Sequence, residues 1–236
     1  MVTFRYAPEI LARYPAVVGA AMLAFGLRNG PSPDALRAEY AAEQKAVRER
    51  LGDKPLSQIP SLAAWRSVFR GFGLDPTQYR GAAEALLRRL TKKGEVPSVN
   101  ALVDIGNLVS IRYALPIALF DLRATIGTIT VRFATGDERY TTLNEAGEAQ
   151  PAHPELGEVI FADETGLVIA RRWCWRQSDE SAIRADTTSA LVTVEAHHEG
   201  GQADVTAALG DLQALLARYA GGEYMTAIVD AEHPEF

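Results

Sequence analysis

Apolar and polar positions recur along this chain with two different periods, and the period changes near its middle. The longest apolar run is PAVVGAAMLAFGL, residues 15–27. A bilayer span takes about 20 residues, so this run reads as a buried strand. Three stretches with apolar residues three or four apart follow. SPDALRAEYAAEQKAVRERLG (32–52) has Ser32 to cap it, Pro33 for its first turn and Gly52 to end it, and its charged surface places it on the outside. SLAAWRSVFRGFG (61–73) carries an apolar stripe of Ala64, Trp65, Val68, Phe69 and Phe72. DPTQYRGAAEALLRRLTKKG (75–94) carries one of Ala83, Leu86, Leu87 and Leu90 and stops at Gly94.

Beyond Pro116 the texture turns to strands. GTITVRFAT and RYTTLN, around a TGDE turn, predict a hairpin, and GEVIFADETGLVIARRWCW predicts another. ALVTVEAHH (190–198) alternates as a strand. DVTAALGDLQALLARYAGG reads as a helix capped by Asp204 and closed by two glycines, and YMTAIVDA (224–231) as a last strand. The expected fold is α+β, a helical N-terminal part packed on a β-rich C-terminal part. Residues 1–59, a strand and a helix, are expected to be integral to the same domain as residues 60–236.

One segment resists this reading. VPSVNALVDIGNLVS (96–110) is dense in apolar residues, yet Asn100, Asp104, Asn107 and Ser110 are threaded through it. An unpartnered buried polar group costs roughly 1–3 kcal/mol, and a carboxylate more. These four groups therefore need partners in the fold or a ligand.

Composition narrows the chemistry. A single cysteine, Cys174, permits no intramolecular disulfide and favours a reducing compartment. The four histidines and the cysteine make no metal-ligand spacing, so neither a metal nor another cofactor is expected. No basic cluster or cleavage site frames a signal peptide, and a cytoplasmic protein is expected. The net charge is −6, but residues 60–93 hold seven basic and two acidic side chains. A basic face on an acidic protein points to an anionic partner.

The order of features is recognisable. YRGAAEALLRRL, then VPSVNALVDIGNLVSIRYALPIALFDL, GTITVRFATGDERYTTLN, GEVIFADETGLVIARR and ADTTSALVTVEA follow one another, with VDxxNxVS…LPxxxFDL as the most specific part. This resembles the tRNA-binding and editing module of the phenylalanyl-tRNA synthetase beta subunit, and in particular its free-standing versions. The resemblance covers roughly residues 60–196 and includes nothing of the synthetase's ATP-binding core. It implies a pocket for an aminoacyl-adenosine end, a face for tRNA, and hydrolysis of a mischarged ester. The expected partner is tRNA or aminoacyl-tRNA, with no DNA and no membrane. A non-catalytic RNA- or protein-binding module, or a pocket repurposed for an amino acid or nucleoside, are the alternatives.

The resemblance makes Asn107 a ligand-orienting group and pairs it with Glu195 as catalytic candidates. Glu195 lies near the family's glutamate, although strict spacing falls on Thr193. Asp104 and Ser110 stand three residues either side of Asn107, on one helical face, and are candidate substrate contacts. Bracing of the backbone is the competing role for Asp104 and Asn107. The family's histidine is Ala118 here, and its glycine-rich turn is RRWCWRQ. On a strand, Trp173 and Trp175 share a face opposite Cys174 and are candidates to stack on a terminal adenine, worth about 1–3 kcal/mol per base, or to pack in the core. His197 and His198 read as exposed residues at a strand end. Arg80, Arg88, Arg89, Lys92 and Lys93 are the candidate RNA contacts, although Arg88 or Arg89 could instead serve an internal ion pair.

Overall fold

The computed structural model describes residues 2–143 and 147–236. The chain opens with β1 (Thr3–Tyr6) and a short helix α1 (Pro8–Arg13). The long apolar run then folds as β2 (Val18–Phe25). Four helices follow: α2 (Asp34–Leu51), α3 (Pro60–Gly71), α4 (Ala82–Lys93) and α5 (Ala101–Tyr113). Next come β3 (Ile117–Asp121), β4 (Thr128–Phe133), β5 (Tyr140–Leu143) and β6 (Ala149–Ala152). After them lie β7 (Val159–Ala162), β8 (Val168–Arg171), β9 (Arg176–Gln177) and β10 (Ser189–Ala196). Helix α6 (Gly201–Tyr219) and strand β11 (Glu223–Val229) complete the α+β fold.

The apolar run is continuous because β2 is buried on both faces. It lies inside an antiparallel sheet ordered β11-β2-β10-β3. Ala20, Met22 and Ala24 point to one core with residues of α2, α5 and α6, while Ala21 and Leu23 point to a second core. That second core is shared with the other large sheet, ordered β1-β4-β7-β8-β9, and with α1 and α3. The result is a helical layer, a central sheet and an outer sheet, with the two N-terminal strands paired into different sheets. No helix among the described residues is long and apolar enough to cross a membrane.

Several local readings are corrected. β4 and β5 do not form a hairpin: β4 pairs with β1 and β7, and β5 pairs with β6. Glu138 turns the chain after β4 by accepting from Arg132 and from the amides of Thr135 and Gly136. Asn144, the end of the RYTTLN reading, lies outside the described residues. Helix α4 starts at Ala82 because Asp75 captures the Thr77 amide in a turn, 2.8 Å away. Gly200 precedes α6 in a left-handed conformation, and Asp204 binds His198 instead of capping. Ser32 does not cap α2, since its hydroxyl is spent on Asp104.

That last bond explains much of the polar segment. Asn100 caps α5, its side chain accepting from the Val103 amide at 3.0 Å. Asp104 is fully buried and accepts from Ser32 at 2.5 Å, from Ser98, and from the Val99 amide at 2.8 Å. Ser110 donates to the Leu115 carbonyl at 2.7 Å, closing the end of α5. Removing the Asp104 carboxylate strands two hydroxyls and an amide. Asp104→Ala is therefore expected to lower unfolding free energy by roughly 3 kcal/mol or more. Urea denaturation checks this, with Asn107→Ala, at a half-buried position, expected to cost less than half as much.

A candidate active-site cavity under helix α5

Between α5, β3, β10 and the turn after β8 lies a cavity of about 300 Å³. Its apolar wall includes Phe120, Phe161, Leu119 and Ile183, and its polar groups include Asn107, Gln177, Thr193 and Glu195. Gly106 lets α5 sit close to β3: a Cβ there would come within 2.4 Å of Leu119 Cδ1. Asn107, one residue on, then lines the cavity, and its side chain also neighbours the Tyr40 hydroxyl.

Glu195 reaches the same cavity from the central sheet. Along β10, Leu191, Thr193 and Glu195 share the face turned toward the outer sheet, while Val192 and Val194 face the helices. The Glu195 carboxylate is buried, and its Oε1 accepts from the Tyr6 hydroxyl at 2.6 Å and from Trp173 Nε1 at 2.9 Å. Both bonds fall on Oε1, which leaves Oε2 for the cavity that the residue lines. Burial pushes the carboxyl up to about pKa 7, although the two donors pull it back. Burial raises the Tyr6 phenol as well, reinforced by the neighbouring carboxylate.

RRWCW is a turn and not a strand, so the two tryptophans do not share a face. Arg172 and Trp173 take left-handed backbone angles, φ 49° and 61°, between β8 and β9. Trp173 is fully buried, its indole committed to Glu195. Trp175 is half-buried at the cavity rim, edge-on to Tyr79 and within 4.6 Å of both Arg172 and Arg176. Cys174 lines the cavity with its thiol pushed up by burial and by Glu195, which disfavours a thiolate nucleophile.

The structure thus brings Asn107, Glu195, Thr193, Trp173 and Trp175 to one cavity. It does not bring Asp104 or Ser110 there. Their side chains are consumed by the backbone bracing described above, which corrects their reading as substrate contacts. Ala118 is on the cavity wall, paired across the strands with Thr193, and among the described residues no histidine lines the cavity. His197 is packed between Trp65 and Trp173, and its pKa falls to about 3 through burial. His198 binds Asp204, so neither histidine is the exposed residue expected.

A second surface adjoins the cavity. Arg80, Arg88, Arg89, Lys92 and Lys93 line an open groove together with Trp175 and Arg176. None of these cations is in an ion pair among the described residues; the internal pair from this region is Arg66–Glu84, at 2.6 Å. Arg176, Gln177 and Ile183, which the sequence reading missed, complete the rim and wall. The alternation of QSDESAIRAD offered no periodic signal for a loop folding over a cavity. Among the described residues, no group of His, Cys, Asp or Glu is placed to hold a metal ion.

Comparison with known proteins bears on this arrangement. Residues 64–221 match the family described as the B3/4 domain. The phenylalanine–tRNA ligase beta subunit of Chromobacterium violaceum is 39% identical over 96 residues, 36% of this chain and 12% of that subunit. The Bordetella pertussis subunit is 30% identical over 96 residues, 41% of this chain and 12% of that subunit. The similarity thus spans about an eighth of those relatives' length. The crystal structure of an N-terminal fragment of the phenylalanyl-tRNA synthetase beta subunit from Pyrococcus horikoshii matches with a TM-score of 0.49 at 13% identity, over 97% of this chain and 54% of that one.

The raised Glu195 pKa has a measurable consequence. Between about pH 4.5 and 7 the folded protein holds a proton that the unfolded chain has released. The contribution of this group is therefore full below pH 4.5 and lost as pH rises to 7, a change of about 3 kcal/mol. Glu195→Gln has no such titration. The stability of the wild type relative to this variant should fall across that window and stay level above it, as read by denaturation at a series of pH values.

Proposed function

The chain belongs to the B3/4 domain family, and we propose that it is a tRNA-associated domain that hydrolyses the ester of a mischarged aminoacyl-tRNA in trans. One observation carries the reading: the unpaired basic groove and the cavity holding Asn107 and Glu195 share Trp175 and Arg176 at a common rim. A nucleic-acid backbone lying in the groove delivers its end to the cavity.

Ester hydrolysis needs a donor for the oxyanion, a held water and a group to take its proton. The Asn107 amide supplies the donor, and one preorganised donor is worth about 2.7–4 kcal/mol. Glu195, with its carboxyl near neutrality and Oε2 toward the cavity, accepts the proton of the attacking water once ionised. It does so without the histidine that Ala118 replaces. The apolar wall of Phe120, Phe161 and Leu119 fits a small or aliphatic aminoacyl group better than tyrosine. A wall of this kind separates neighbours differing by one methylene by only about 1–3 kcal/mol, so overlapping substrates are expected. The proposed setting is the cytoplasm, where aminoacyl-tRNA is found.

The second reading, an RNA-binding module without catalysis, is favoured by Ala118 alone. Deacylation of a panel of mischarged tRNAs separates the two. Release above background from at least one, lowered about 10²–10³-fold by Asn107→Ala with binding retained, supports hydrolysis. Binding with no release from any member supports the second reading.

The groove makes an independent prediction. Affinity for tRNA should fall with salt, with a log–log slope of about −0.7 to −0.9 per phosphate neutralised. Charge reversal at Arg88 and Arg89 should weaken binding and flatten that slope. Affinity that ignores both salt and charge reversal would remove the groove from the binding surface.

A further inference from the structure

We propose that Tyr6 is a positioning residue of the cavity: its hydroxyl holds one oxygen of Glu195 and so fixes the carboxylate that the cavity presents to a ligand. Its part in catalysis rests on the hydrolytic reading above, whereas its hold on the carboxylate stands on geometry. Tyr6 lies outside residues 64–221, which makes the first strand, and not the family's shared segment alone, part of the site.

Tyr6 reaches Glu195 from the far sheet. β1 is pinned on both edges: Tyr6 is in register with Val131 of β4, and its amide donates to the Pro234 carbonyl at 3.0 Å. The phenol is buried and edge-on to Phe4, with ring centroids 5.4 Å apart. Its hydroxyl passes over Gly19 of β2, where a Cβ would lie 2.4 Å from Oη and 3.5 Å from Glu195 Cγ. Gly19 is the β2 residue in register with Glu195. The missing side chain there lets an outer-sheet phenol meet a central-sheet carboxylate at 2.6 Å.

That carboxylate is unlike the others buried in the chain. Asp104, Asp121, Glu138, Glu158 and Asp163 each accept hydrogen bonds at both oxygens. Glu84 accepts at one, but from Arg66. Glu195 has both its donors on Oε1 and no ion pair among the described residues. A carboxylate that only braces the fold is satisfied all round. This one is gripped at a single oxygen and lines the cavity, so its plane and direction are set before a ligand arrives.

The surroundings leave its charge to the donors. Packed round Glu195 are Tyr6 of β1, Trp173 and Cys174 of the turn after β8, and Trp65 of α3, whose Nε1 donates to the Glu195 carbonyl at 3.4 Å. His197 lies behind Trp173, and Asn107 and Arg176 stand on the cavity wall. Burial keeps the Tyr6 phenol, the Cys174 thiol and the His197 imidazole neutral at ordinary pH. Of these buried groups Glu195 alone titrates near neutrality, and Tyr6 favours its ionised form.

The test follows the Glu195 carboxyl by its infrared C=O band, taken as the difference between the protein and Glu195→Gln. The band is expected to disappear with a midpoint of about pH 7 in the wild type. Tyr6→Phe keeps the ring but removes a donor to the ionised form, and should raise the midpoint by about one unit. A fluorinated tyrosine at residue 6, a more acidic donor of nearly the same shape, should lower it. Because that residue keeps the bond, its shift decides alone if Tyr6→Phe does not fold. On a mischarged tRNA the acid limb of the deacylation profile should move with the midpoint. Tyr6→Phe should then lose about tenfold in rate near about pH 6 and little above about pH 9. A midpoint that Tyr6→Phe leaves in place, or that the fluorinated residue does not lower, overturns the proposal. So does a deacylation profile that stays put while the midpoint moves. Midpoints that move as expected, in a protein that deacylates no mischarged tRNA, keep Tyr6 as the group that positions the cavity carboxylate and remove the hydrolytic reading.

Discussion

A carboxylate placed between two sheets is the constraint that organises this molecule. Glu195 faces inward on a central strand, where an ionised group is costly unless donors reach it. They come from parts of the chain far apart in sequence: Tyr6 from the first strand of the outer sheet, and Trp173 from the turn after β8. Each donor imposes its own condition. Tyr6 Oη occupies the space above Gly19, where a Cβ would lie 2.4 Å from it. Trp173 reaches inward only because the turn takes left-handed angles at two non-glycine residues, which L side chains adopt at a cost. Even so, the carboxyl keeps a proton to about pH 7, since two donors on one oxygen do not offset full burial. The oxygen that ties the two sheets together is Oε1, and the same side chain lines the cavity.

The polar groups of α5 divide differently. Asn100, Asp104 and Ser110 each satisfy backbone or hydroxyl groups that the close packing of α5 would otherwise strand. Asn107 alone faces the cavity. Each step of three residues turns about 60° around a helix, so Asp104 and Ser110 flank Asn107 on either side, and their own hydrogen bonds commit them to Ser32, Ser98, the Val99 amide and the Leu115 carbonyl. Bracing by the neighbours is what makes Asn107 a rigid group: its helix is tied to Ser32 at one end and to Leu115 at the other.

Helices α2, α3, α4 and α6 and the doubly buried strand were legible in the sequence because burial writes its period directly into the apolar positions, while α1 and the polar-threaded α5 were not. The α+β class followed. Strand pairing was legible in part: β7 and β8 pair as the expected hairpin, whereas TGDE looks the same whether the next strand turns back or is led away by Glu138. The turn at RRWCW was unreadable for a related reason. Positive φ at arginine and tryptophan has no local signature, because tertiary contacts of Trp173 and Arg172 enforce it. The cavity was half legible: Asn107 and Glu195 came from resemblance, while Arg176, Gln177 and Ile183 belong to segments without periodicity.

Charge distribution gives the arrangement its direction. Most arginines whose side chains reach an acidic neighbour are tied down across elements, as Arg112 is to Glu43 and Asp211, and Arg123 to Asp121 and Asp186. Arg80, Arg88, Arg89, Lys92, Lys93 and Arg176 have no such partner among the described residues, and they lie together. On a chain of net charge −6, this cluster is a local reversal of sign. A run of cations without carboxylate partners among the described residues draws a polyanion to this groove in preference to the net-negative remainder of the chain. Because the groove ends at Trp175, an anion that follows the field is brought to the mouth of the cavity and not merely to the protein surface.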